Sequence, residues 1–109
     1  MKPAEAIREL MLRSDDWHGD CADLAIAYVS RVWGKPIERP QTYLSVAAVK
    51  SVLGKPRRGK PVYGDLILHR GGLGIFLSYA LFTVDHASKK LARIDVPDDS
   101  MIAWRVDNG

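Results

Sequence analysis

The spacing of apolar residues changes near the middle of this chain, and no other feature restricts its fold so tightly. Up to Leu53 the apolar positions recur at intervals that place them along one side of a helix. Pro3 suits the first turn of a helix running to about Leu12, with Ile7, Leu10 and Met11 on one side. The stretch from Arg13 to Gly19 breaks it, and Asp20 is a good N-cap for a second helix beginning at Cys21. In that helix Ala22, Ala25, Ile26, Val29, Val32 and Trp33 make one stripe to be buried, and Gly34 and Pro36 end it. A third helix is expected from about Thr42 to Leu53, closed by Gly54 and Pro56.

After a basic connector the texture becomes that of strands. Short runs rich in β-branched and aromatic residues follow one another: Leu66–Leu68, Leu73–Leu77, Ala80–Val84, Leu91–Val96 and Met101–Val106. In the last of these, alternation puts Trp104 on the same side as Ile102 and Val106. Helices grouped first and strands grouped afterwards define an α+β domain. The expected architecture is N-terminal helices packed on an antiparallel five-stranded meander or a small barrel. Residues 1–109 are the length of one domain.

Composition removes several classes of function. The chain is 47% hydrophobic and 27% charged, ordinary values for a globular protein, and contains no apolar run of the ~18 residues a membrane helix needs. The opening Met1-Lys2-Pro3-Ala4-Glu5 develops no apolar secretory core, which points to a protein made in a cytoplasm and kept there or packaged from it. The net charge is +3, with Lys50, Lys55, Arg57, Arg58 and Lys60 gathered around the connector. Such a loop can contact nucleic acid, but no aromatic residue interleaves Lys55 to Lys60 to stack on bases, so a solvated connector is the better reading.

Cys21 is the only cysteine, which leaves no internal disulfide. Its remaining uses are core packing, a metal site or a nucleophile. One cysteine with His18, His69 and His86 supplies none of the short ligand pairs of a structural zinc site, so no metal is expected. Gly71-Gly72-Leu73-Gly74 lacks nucleotide-binding spacing and no helix follows; a hairpin turn accounts for Gly71 and Gly72, and no cofactor is expected. The head of a helix favours a thiolate and offers N–H groups to an oxyanion, whereas Asp20 and Asp23 oppose further negative charge. For a lone cysteine, quiet burial is the commoner state.

The order of short motifs adds information. Asp20-Cys21-Ala22-Asp23-Leu24, preceded by Trp17 and Gly19, is followed by Gly64-Asp65-Leu66-Ile67-Leu68, then Gly72-Leu73-Gly74-Ile75, then His86-Ala87-Ser88. From Trp17 to Ser88 this series resembles the NlpC-type papain-like cell-wall peptidases and their small phage-tail relatives. The resemblance implies Cys21 at the nucleophile position, His86 at the third, polar position, and Trp17 with His18 beside a substrate groove. It also implies a base histidine where this chain has Gly72. His86 or His69 would have to substitute, because a Cys–His mechanism without its base loses its activation step. Bland alternatives are a strand-end residue for His69, a turn residue for His86, a loop residue for His18 and a staple at the helix start for Trp17.

Three functions follow. The first is a phage or prophage tail-tip structural protein with a degenerate peptidase fold, whose partners are other tail-tip or hub proteins and whose location is the virion tail. The second is an active cysteine amidase or endopeptidase that cleaves peptidoglycan stem peptides. The third is a nucleic-acid-binding module acting through the basic loop.

Overall fold

In the computed structural model, residues 1–38, 45–97 and 101–107 are described. Three helices, α1 (Pro3–Leu12), α2 (Cys21–Trp33) and α3 (Val46–Leu53), precede five strands. These are β1 (Leu66–His69), β2 (Gly72–Phe76), β3 (Leu81–Val84), β4 (Leu91–Ile94) and β5 (Ile102–Trp104). The expected α+β order is the one observed. α3 starts at Val46, where the Ser45 hydroxyl accepts the Ala48 N–H at 3.2 Å; the expected start near Thr42 lies outside the described residues.

The sheet is antiparallel and open, in the order β4-β3-β2-β1-β5. Strands β1 to β4 form the expected meander, but β5 returns to the far side of β1, pairing Leu66 with Trp104 and Leu68 with Ile102. The sheet does not close into a barrel: β4 and β5 stand at opposite ends, and strands of three to five residues give little length for the stagger that closure demands. The β1–β2 connection is Arg70-Gly71, both with positive φ, the conformation of a two-residue type I′ hairpin loop.

The core lies between the helices and one face of the sheet. Leu66, Leu68, Leu73, Ile75, Phe82, Val84 and Trp104 meet Ala6, Ile7 and Leu10 of α1 and the buried side of α2. Trp104 and Val106 are both buried there with Ile102 against them, as alternation requires. The α2 stripe is wider than its spacing implied: Leu24 and Tyr28 are fully enclosed, while Ile26 and Trp33 are half-buried. The cause is packing, since α2 touches α1 on one side and β2 and β3 on another, so two faces are covered instead of one.

The basic connector meets the one charged side chain that is buried among the described residues. Asp65 is 2% exposed, and the Arg57 guanidinium donates to both its carboxylate oxygens, Nε at 2.6 Å and Nη2 at 2.9 Å. Asp65 also accepts the Val62 N–H, and the Arg57 N–H donates to the Ala103 carbonyl at 2.7 Å, which covers the outer side of β5. Next door, the Tyr28 hydroxyl donates to the Gly64 carbonyl. Gly64 has φ of +91°, and a Cβ there would lie 3.2 Å from the Tyr28 hydroxyl, so both conformation and space select glycine.

Replacing Arg57 by alanine leaves a buried carboxylate without its cation and is expected to cost about 3 kcal/mol in urea unfolding, against under about 0.5 kcal/mol for exposed Arg58→Ala. Burial, and then the nearby Tyr63 and Asp65, raise the Tyr28 pKa above its ordinary 10.0. A raised value in the folded state means that stability is complete below the unfolded value and falls as pH climbs past about 10. Tyr28→Phe should cost about 1–2 kcal/mol at neutral pH, since it orphans the Gly64 carbonyl, and should flatten that alkaline decline in a series of unfolding midpoints.

Candidate functional site

Cys21 is the first residue of α2, and Asp20 and Asp23 fix that helix start. The Asp20 carboxylate accepts the Asp23 N–H at 3.0 Å, and the Asp23 carboxylate accepts the Asp20 N–H at 2.9 Å, a reciprocal capping box. The acidic pair flanking the cysteine therefore builds the helix end. The Cys21 side chain turns inward, 7% exposed, into the core shared with Leu24, Ile75 and Phe82.

No imidazole reaches it. Among the described residues, no histidine hydrogen-bonds to the Cys21 thiol. His18 is exposed in the loop before α2. Trp17 is half-buried against the core, and its indole N–H donates to the Gly19 carbonyl at 3.0 Å, which shapes the approach to the helix as a staple would. His86 is exposed in the β3–β4 turn. The hydrogen bonds of that turn come from its neighbour Asp85, whose carboxylate accepts the Ser88 N–H at 2.9 Å. The N–H and hydroxyl of Ser88, with a smaller contribution from His86, hold the Asp85 carboxyl below the usual carboxylate range.

Register decides the case of the missing base. His69 pairs with Gly72 across the β1–β2 hairpin. Leu68, Leu73 and Ile75 lie in the helix-side core with Cys21, whereas Ile67 belongs to a smaller cluster with Leu81 and Ala103. Alternation therefore puts His69 and position 72 on the sheet face turned away from α2. Position 72, where the resemblance would imply a base, therefore looks away from the thiol. His69 is a half-buried strand-end residue on that same outer face.

A shallow groove of about 320 Å³ opens elsewhere, between the end of α1 and β4, lined by Met11, Ser14, Phe82, Leu91, Ala92 and Arg93. None of Cys21, His18, His69, His86 or Trp17 lines it. Among the described residues no group of three or more acidic, histidine or cysteine side chains is placed to hold a metal ion, and no helix is long and apolar enough to cross a membrane. The Arg57–Asp65 pair was missed by sequence reasoning, although an acidic residue opening an apolar strand eight positions after an arginine was a readable signal. No protein-family model, curated protein or solved structure matches this chain.

A buried thiol behaves as a small apolar group. Ellman-type reagents are expected to titrate Cys21 completely in denaturant and at least about tenfold more slowly in the folded protein. Cys21→Ala should cost about 1 kcal/mol, well below the 2–5 kcal/mol typical of a buried Leu→Ala change such as Leu24→Ala.

Proposed function

We propose that this chain is a degenerate, papain-like NlpC-type module that serves as a structural component of a phage or prophage tail tip, seated among hub and tail-tip proteins. The observation that carries the reading is the combination at Cys21. The residue occupies the head of the core helix, helices precede an antiparallel sheet as the resemblance implies, and yet the thiol is buried and hydrogen-bonded to no imidazole. A scaffold needs the fold and not the proton transfer.

The peptidase reading keeps one supporting observation, Cys21 in the first turn of α2. It lacks a base, since Gly72 and His69 are on the opposite face of the sheet and His86 is in an exposed turn. The nucleic-acid reading loses its central cation, because Arg57 is committed to Asp65.

Two measurements test the proposal. The purified protein should release no fragments from muropeptides, Cys21→Ala should be indistinguishable from it, and Gly72→His alone should gain nothing, because strand alternation aims position 72 away from the thiol. Cleavage abolished by Cys21→Ala would establish the enzyme instead. An antibody against this chain should label the distal tip of purified phage tails, and tails lacking the label would end the structural assignment.

A further inference from the structure

The two edges of the sheet are treated differently. At β5 the outward-facing Ala103 carbonyl is taken by the Arg57 N–H. At β4 the Asp85 N–H donates to the Lys90 carbonyl at 2.8 Å, so Lys90, and by alternation Ala92 and Ile94, direct their backbone groups at β3. Leu91, Arg93 and Asp95 then direct theirs outward. Among the described residues no main-chain hydrogen bond reaches that row. The second half of the strand is open: Arg93 and Asp95 are exposed and Ile94 is 45% exposed.

We infer that β4 is a homodimerisation edge, on which a second copy of this chain adds its own β4 antiparallel, about a two-fold axis through Ile94. Three independent features of the strand agree with that register. The sequence is self-complementary in charge, since reversal about Ile94 sets Arg93 opposite Asp95 of the second copy, and symmetry repeats the pair. The backbone parity is right as well: with β4's alternation continued one residue past Ile94, Arg93 and Asp95 both face outward and can exchange main-chain hydrogen bonds, while the two Ile94 side chains meet at the closer, non-bonded position. Finally, Pro97 of the second copy falls opposite Leu91, where its missing N–H ends the ladder at the mouth of the groove lined by Met11, Leu91 and Arg93.

The charges already near the edge permit the arrangement. Arg93 Nη1 donates to the Tyr79 hydroxyl at 3.4 Å, a long exposed contact that is readily exchanged for a carboxylate. A strand edge to which no described residue makes a main-chain bond is the kind that natural sheets pair or protect. The inference concerns assembly alone and is independent of whether the domain sits in a phage tail or cleaves peptides.

Sedimentation equilibrium on the full chain tests it by charge exchange. Wild type should move from monomer to dimer mass as concentration rises. Arg93→Asp alone, or Asp95→Arg alone, sets like charges opposite each other twice and should weaken the dimer at least about tenfold. The double variant Arg93→Asp/Asp95→Arg should return it, as should an equimolar mixture of the two single variants. Circular dichroism confirms that each variant is folded, and Ile94→Lys provides a second disruption at the same axis. A wild type that stays monomeric at millimolar concentration, a dimer indifferent to the single exchanges, or folded double variants that remain monomeric would each overturn the inference.

Discussion

The Arg57–Asp65 pair ties the connector after α3 to the buried start of β1. Its carboxylate is at the start of β1, its guanidinium in the connector after α3, and the same arginine's N–H is bonded to β5. The connector carries little apolar surface, so hydrophobic burial alone would not fix its path. A buried carboxylate is costly unless paired and hydrogen-bonded, and this one accepts from both arginine nitrogens and from the Val62 N–H. That requirement locks the connector against the sheet edge. With the loop held, the Gly64 carbonyl is presented to the Tyr28 hydroxyl, and α2 is tied to the start of β1 from the opposite side.

A second constraint anchors α3, the shortest of the three helices, whose buried residues are Ala48 and Val49. The Trp104 indole N–H donates to the Gly54 carbonyl at 3.0 Å, so the end of α3 is pinned to β5. Trp104 is fully buried and its one polar atom must find a partner. The last strand thus fixes both neighbours of the connector, through Ala103 to Arg57 and through Trp104 to Gly54. β5 pairs at the edge beside β1 in place of extending the meander past β4, and these two bonds are made on that side.

The periodic parts of the chain were legible from residues alone. Pro3, Asp20, Gly34 and Gly54 mark helix ends by local chemistry, and each strand run contains its observed strand to within a residue or two. What could not be read was anything set by elements meeting. The wider buried arc of α2, with Leu24 and Tyr28 inside, depends on α1 and the sheet covering it together. The placement of β5 depends on long-range pairing that no local pattern encodes. The site suffered most, because a motif order records which residues follow one another but not which face of a strand they occupy. Gly72 and His69 stand in sequence where a base could be sought, and a single step of register turns both away from Cys21.

The short motifs at the head of α2 and at the start of β1 have folding roles of their own. In Asp20-Cys21-Ala22-Asp23-Leu24, both aspartates form the capping box, Leu24 is enclosed, and Cys21 and Ala22 are the small buried residues that a helix start can place against a sheet. In Gly64-Asp65-Leu66, glycine supplies a positive φ beneath Tyr28, aspartate holds Arg57, and leucine enters the core. Gly74 is closely approached, since a Cβ there would lie 3.3 Å from the Phe82 carbonyl oxygen. Folding alone therefore accounts for Asp20, Cys21 and Asp65, with no chemistry required of the thiol.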